Sequence, residues 1–227
     1  DIMKSSEELD RDRTEAMDQV LEVFYRDREK EKAVNQKLLD LRADIITLSD
    51  SSITDSVKQR IVVLLKKELS DNTINTITEH PYLLDDAIFQ ANEMLNTGIL
   101  GILLVPSKQK LADLEEKYNS EFENHLFYSK DYITFIQDST EITVKHTDLP
   151  VKKMALEIII NMLRVERMFD QNALSSLYEI LDAYLLPNIM HNGEETTNRR
   201  LQAARSVLTT KGKVIKDSEI VRKHQEV

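Results

Sequence analysis

The sequence predicts an α+β fold that is predominantly α-helical, with a helical body and a small β element. Glycine and proline each occur only four times in 227 residues, so few positions break a helix. Apolar residues recur at steps of three and four over most of the chain, which is the period of an amphipathic helix. Two regions alternate polar and apolar residues instead, at about 126–146 and 211–221. These predict a β-hairpin and a terminal strand.

The first fifty or so residues are predicted to form a short strand and two helices. Residues 1–4 are extended, and Ser5 or Ser6 then caps a helix whose apolar spacing continues to Phe24. The second helix carries one apolar stripe and is predicted to be a helical-hairpin partner of the first. The charged run 26–32 between them is predicted to be a solvated turn. The stripe consists of Val34, Leu38, Leu41, Ile45 and Leu48.

Three more helices are predicted before Gly98. They span 54–69, then run from Ser70 to a point before Pro81, then span 82–96. The inward positions of the first are predicted to be Val57, Ile61, Leu64 and Leu65. The apolar run 99–105 fits either a buried strand or a core helix segment. Residues 107–119 predict a polar helix or a linker.

The hairpin is predicted from strands at 126–136 and 141–147. Asp148-Leu-Pro150 then starts a helix, because proline suits an early helical position. A final core helix runs from about residue 172 and ends at Pro187-Asn188. A charged helix over 194–208 precedes the terminal strand.

The chain is predicted to be a single domain over residues 1–227. Its helical body spans about 5–190, and a second element combines residues 1–4, 126–147 and 191–227. No internal repeat of solenoid type and no low-complexity linker divides the sequence.

Composition and motifs exclude several functions. A formal net charge of −10 disfavours nucleic acid and anionic lipid as partners. The absence of cysteine excludes disulfides, thiolate zinc sites and a cysteine nucleophile. Phosphate-binding loops and the common hydrolase signatures are absent, and His146-x-Asp148, the nearest approach to a metal pair, is better explained by a helix cap. The sequence therefore predicts no catalytic, metal-binding or cofactor-binding residue.

A small basic cluster supplies the only candidates for ligand binding. Arg199, Arg200 and Arg205 lie on the predicted charged helix, and Arg199 and Arg200 are the weak candidates. The alternative is a solvated helix face in which these arginines pair with Glu194 and Glu195.

Both ends of the chain carry a family resemblance. The C-terminal segment reads Leu186-Pro-Asn-Ile-Met-His-Asn-Gly-Glu-Glu-Thr-Thr-Asn-Arg-Arg-Leu-Gln-Ala-Ala-Arg-Ser-Val207, followed by the ribbon Lys211-Gly-Lys-Val-Ile-Lys-Asp-Ser-Glu-Ile-Val221. The N-terminal segment reads Lys4-Ser-Ser-Glu-Glu-Leu-Asp-Arg-Asp-Arg13. These segments resemble the extracytoplasmic domain of seven-transmembrane receptors with an intracellular HD-type phosphohydrolase. The signature positions are Pro187, Asn188, Ala204, Arg205, Gly212 and Val214.

The resemblance implies a location and a role. The chain would lie outside a bacterial membrane, tethered at both ends, with 1–4, 126–147 and 191–227 nearest the membrane. It would sense an unknown extracytoplasmic ligand or protein and regulate cyclic di-AMP hydrolysis by the cytoplasmic HD domain. The metal ligands of that HD domain have no counterpart here, because the chain has no His-Asp dipeptide. The first and last strands are expected to lie close together.

Two alternatives stay open at this stage. A cytosolic helical adaptor without catalytic role is favoured by the coiled-coil-like stripe Val34–Leu48. An enzyme with an unrecognised carboxylate site is the other. The sequence leaves the ligand, the oligomeric state and the direction of regulation undetermined.

Overall fold

A computed structural model describes residues 2–101, 131–137 and 139–212. The predicted helix or linker 107–119, the start of the hairpin at 126–130 and the last part of the terminal strand lie outside these residues. The elements in chain order are β1 (Ile2–Met3), α1 (Ser6–Gln19), β2 (Val23–Arg26), α2 (Arg28–Ser49), α3 (Asp55–Leu65), α4 (Asp71–Glu79), α5 (Tyr82–Thr97), β3 (Tyr132–Gln137), β4 (Thr140–Lys145), α6 (Lys152–Arg167), α7 (Gln171–Tyr184), β5 (Ile189–His191), α8 (Gly193–Ser206) and β6 (Thr210–Gly212).

The fold is α+β and predominantly helical, as predicted. The chain divides into two compact units. The terminal unit comprises Asp1–Val23 and Asn192–Val227, and the central unit comprises Phe24–His191. The predicted division of the chain into a helical body and a second element stays a prediction.

The terminal unit contains α1, α8 and the strands β1 and β6. Ser5 and Glu8 form a capping box: the Ser5 hydroxyl accepts from the Glu8 amide at 3.2 Å, and the Glu8 carboxylate accepts from the Ser5 amide at 2.9 Å. The predicted extension of this helix to Phe24 is wrong, because α1 ends at Gln19. The β-branched and aromatic residues after it form strand β2, which pairs with β5. Within the terminal unit, α1 packs chiefly on α8. The predicted hairpin of α1 with α2 stays a prediction.

The five-residue stripe of α2 is confirmed as core. Val34, Leu38, Leu41, Ile45 and Leu48 are the buried residues of α2, and the helix packs on α3, α4, α5 and α7. Because these five residues are buried within their own unit, the stripe itself is not available to a partner helix. The observation that favoured an adaptor is therefore accounted for by the core.

Helix α3 is shorter and less buried than predicted. It ends at Leu65, which is buried, but Val57 and Leu64 are 42% and 59% exposed. Ser70 caps α4 as predicted, and Glu179 of α7 reinforces that cap. The Glu179 carboxylate accepts from the Ser70 amide at 2.5 Å and from the Ser70 hydroxyl at 2.7 Å. These bonds join α4 to α7.

A four-stranded sheet of order β4-β3-β2-β5 completes the central unit. The predicted hairpin is present as β3 and β4, with Tyr132 opposite Lys145 and Gln137 opposite Thr140. Leu100 makes parallel bridges to Val151 and Ile189, so residues 99–101 are extended rather than helical. A second apolar cluster forms beside the sheet from Phe24, Leu100, Ile133, Phe135 and Ile189.

Candidate functional site

Asn188, one of the predicted family-signature residues, lies at the centre of a buried polar junction in the central unit. Its side chain is fully buried. Its amide nitrogen donates to the Leu95 carbonyl at 2.8 Å and to Glu31 at 2.6 Å, and its amide oxygen accepts from the Ile99 N–H at 2.7 Å. Pro187 precedes it and is half-buried. The preceding helix α7 ends at Tyr184, three residues before the proline, and the asparagine connects three parts of the chain.

Arg26 is the second polar group of this junction. Its guanidinium donates to the Leu95 carbonyl at 2.7 Å and also to the Asn96 carbonyl. Its Nε lies 2.9 Å from the Glu31 carboxylate, so the two side chains form an ion pair. The Nε–H of Arg26 is not well aligned for a hydrogen bond. The Arg26 side chain is only 7% exposed, so the predicted solvated turn over 26–32 is wrong at this position. The guanidinium satisfies carbonyls at the C-terminal end of α5, where cations are favoured.

A ribbon joins the first and last described strands of the terminal unit. β1 and β6 are antiparallel, with Ile2 opposite Gly212 and Met3 opposite Thr210. The Lys4 amide extends the ribbon by donating to the Thr209 carbonyl at 3.0 Å. The expectation that the first and last strands lie close together holds for the described part of β6. Val214, the remaining signature position, lies outside the described residues.

Glu8 connects α1 to this ribbon through an ion pair with Lys211. Its carboxylate lies 2.6 Å from the Lys211 ammonium while also closing the α1 capping box. The hydrogen bond from Lys211, followed by the backbone bond from Ser5, lowers the pKa of Glu8 from 4.5 to about 2. Because the folded-state pKa is depressed, the contribution of this contact is present above about pH 4.5 and is lost as the pH falls towards 2.

We expect an NMR pH titration of the Glu8 side chain to show a midpoint near 2. Lys211→Gln should move that midpoint towards 4.5, because the substitution removes the largest cause of the shift. Lys4→Gln is the matched control, since Lys4 pairs with Asp12 at 2.7 Å and not with Glu8. A Glu8 midpoint that is unchanged in Lys211→Gln would contradict the assignment.

Arg199 and Arg200 of α8 are engaged in intramolecular ion pairs. Arg199 lies 2.8 Å from Glu195, four residues earlier, which is the helix-face pairing that the sequence offered as the alternative. Arg200 lies 2.5 Å from Glu22. Arg205 is exposed in the last turn of α8, next to the half-buried Ala204. These contacts favour a structural role for Arg199 and Arg200 over ligand binding.

The signature positions thus fall into two groups. Pro187 and Asn188 belong to the buried junction, and Ala204, Arg205 and Gly212 belong to the terminal unit. Sequence reasoning missed Arg26 and Glu31 because both stand in a charged run of mixed sign. Glu8 follows Ser5 by three residues, which is the spacing of a capping box, but its partner Lys211 is distant in sequence.

Within the described residues, no group of three or more His, Asp or Glu side chains could hold a metal ion. In the same part of the chain, no helix is both long enough and apolar enough to cross a bilayer.

Fold and site together define a helical α+β domain that brings its first and last described strands together as one ribbon. The chain belongs to the 7TM-HD extracellular family, whose model matches residues 1–227. It is therefore an extracytoplasmic domain of a membrane receptor, which is consistent with a sensory, non-catalytic role. No curated protein and no solved structure is significantly similar to it.

Proposed function

We propose that this domain senses an extracytoplasmic ligand or protein and regulates cyclic di-AMP hydrolysis by a cytoplasmic HD domain of a bacterial receptor. The coupling would pass through the membrane spans to which the domain is tethered. The observation that carries the proposal is the β1–β6 ribbon. Family membership supplies the extracellular location and the association with a 7TM-HD protein.

The ribbon has the geometry that such coupling needs. In an antiparallel pair, the residue that opens one strand lies beside the residue that closes the other, as Ile2 lies opposite Gly212. The chain therefore enters and leaves the ribbon at one end, with neighbouring strands ~4.8 Å apart. Spans continuing from the two strands would start side by side. A ligand that favours one ribbon geometry would bias both spans together.

A cross-link across the ribbon tests this coupling. We expect Met3→Cys with Thr210→Cys, placed in the full-length receptor in lipid nanodiscs, to form a disulfide, because these residues are cross-strand partners. Oxidation should change the rate of cyclic di-AMP hydrolysis by about fivefold or more, and reductant should restore it. The 227-residue chain by itself is the blank of the hydrolysis assay, and we expect no turnover from it. It contains no native cysteine.

The matched control is a second cross-strand pair in the central unit. Gln137→Cys with Thr140→Cys joins β3 to β4, which are also antiparallel partners. Its oxidation should leave the hydrolysis rate unchanged. Equal rates for the oxidised and reduced ribbon variant, with the disulfide verified by mass spectrometry, would refute the proposed coupling.

A further inference from the structure

A cleft of about 500 Å³ lies in the central unit, between the turn that joins α4 to α5 and the turn that joins α6 to α7. His80 and Tyr82 form part of one side, and Arg167, Phe169 and Asp170 form part of the other. The volume is within the range of about 300–1,000 Å³ that small-molecule sites occupy. None of these residues belongs to the junction or the ribbon described above.

The walls of the cleft are fixed by side-chain contacts. Asn172 donates to the Thr76 hydroxyl at 3.0 Å and accepts from Asn72 at 2.8 Å, which ties the start of α7 to α4. Arg167 lies 2.7 Å from Asp86, which ties the end of α6 to α5. A site with walls held in this way loses little conformational entropy when it binds a ligand.

Aromatic rings form one continuous edge of the cleft. The ring centroids of His80 and Tyr82 are 5.8 Å apart, and those of Tyr82 and Phe169 are 6.4 Å apart. Tyr82 is 55% exposed although it lies between two other rings, so its ring is accessible to a ligand. Beside Phe169, Met168 adopts a left-handed backbone with φ +53°, which is uncommon for a residue other than glycine.

The charges of the cleft select the class of ligand. Glu79 and Asp170 are acidic and Arg167 is basic, so the cleft has charges of both signs; Arg167 is paired with Asp86 and Asp170 caps α7, so two of these three charges already have intramolecular partners. This arrangement favours neither an anionic nor a cationic ligand. The same groups, together with the Tyr82 hydroxyl and the His80 ring nitrogens, can donate to or accept from hydroxyl groups. A neutral ligand with many hydroxyls and an apolar ring face satisfies both the polar groups and the aromatic edge.

We propose that this cleft binds a neutral saccharide, stacked on Tyr82 and hydrogen-bonded by the polar residues around it. This inference deepens the proposed sensory function, because it names the class of ligand. The biological role of this binding rests on the proposed sensory function, but the binding itself does not. The binding itself is measured on the 227-residue chain, so its failure would leave the ribbon experiment unaffected.

The test titrates the chain with glucose, N-acetylglucosamine, maltose and chitobiose, followed by calorimetry and by NMR shifts. Choline is the cationic probe and inorganic phosphate the anionic one. We expect at least one saccharide to bind, to shift signals of Tyr82 and Phe169, and to raise the melting temperature. Tyr82→Ala should weaken that binding by about tenfold, whereas Tyr82→Phe should retain it.

Tyr178→Ala is the matched control, because Tyr178 is a 41% exposed tyrosine of the same unit that does not line the cleft. It should bind the saccharide as the unmodified chain does. Binding of choline or phosphate alone, binding of none of the four saccharides, or saccharide binding that survives Tyr82→Ala would each overturn the proposal.

Discussion

Asn188→Ala is expected to lower the free energy of unfolding of the central unit by about 3–5 kcal/mol, the largest effect among the substitutions considered. The side chain is fully buried and makes three hydrogen bonds, one of them to the carboxylate of Glu31. Alanine would leave the Ile99 N–H unsatisfied, at about 1–3 kcal/mol, and would remove the hydrogen bond to the Glu31 carboxylate, worth about 1.5–3 kcal/mol. The Leu95 carbonyl would keep its hydrogen bond from Arg26. Denaturant unfolding followed by circular dichroism measures the loss.

Asn198→Ala is the control for this substitution, since Asn198 is an exposed asparagine of α8. Its effect should stay within about 0.5 kcal/mol. A loss below about 1 kcal/mol in Asn188→Ala would show that water replaces the missing partners.

Asn188→Asp separates the acceptor role of the residue from its donor role. The introduced carboxylate can still accept from the Ile99 N–H, but it faces Glu31 where the amide had donated at 2.6 Å. Burial and the neighbouring carboxylate would raise its folded-state pKa. The destabilisation should therefore be greatest above pH ~4 and should decrease as the pH is lowered and the carboxylate is protonated. The opposite pH dependence would contradict the arrangement of donors at the junction.

The helical part of the fold was predictable because local signals there agree with the packing. The α2 stripe keeps one phase over its whole length, and all five of its residues are buried. Ser5, Ser70 and Gly98 mark helix ends at or next to the positions that the sequence indicates. Such signals depend on neighbours in the chain, so one sequence is enough to read them.

Errors arose where long-range contacts decide the outcome. The residues from Val20 to Phe24 continue the helical spacing of α1, yet pairing with β5 draws Val23 and Phe24 into a strand. Arg26 stands in a charged run that looks solvated, yet carbonyls at the end of α5 and the carboxylate of Glu31 compensate its burial. The carbonyls of Leu95 and Asn96 are about seventy residues from Arg26 in sequence, so the charged run alone gave no sign of them.

The candidate site likewise divides into features that the sequence indicates and features that only long-range contacts reveal. The resemblance pointed to Asn188 and Gly212 without indicating what they contact, and the structure assigns the first to a buried junction and the second to the ribbon. The aromatic cleft had no sequence signal, because His80, Tyr82 and Phe169 come from two turns almost ninety residues apart. Only the packing of α4 and α5 against α6 and α7 brings these turns together.

Gly98→Ala is expected to destabilise the central unit by about 2–4 kcal/mol. Gly98 ends α5 with φ +104° and ψ 131°, a conformation that residues with a Cβ rarely adopt, and such strain costs about 1–3 kcal/mol. An added Cβ would also lie 2.9 Å from the Cδ1 atom of Ile189. Ile189 is fully buried in the second apolar cluster, so it cannot move away without repacking its neighbours. The measurement is again denaturant unfolding.

Two further variants separate the backbone cost of Gly98→Ala from the steric cost. Gly193→Ala, at the exposed start of α8 and without a positive φ, should be neutral or stabilising by up to about 1 kcal/mol. Ile189→Val removes Cδ1, the nearer of the two Ile189 atoms that the added Cβ would meet, and leaves the backbone conformation of Gly98 unchanged. If backbone strain dominates, the double variant should be about as unstable as the sum of the two single variants. A double variant more stable than Gly98→Ala alone would assign the cost to the contact with Ile189. A Gly98→Ala variant as stable as Gly193→Ala would contradict the strained conformation itself.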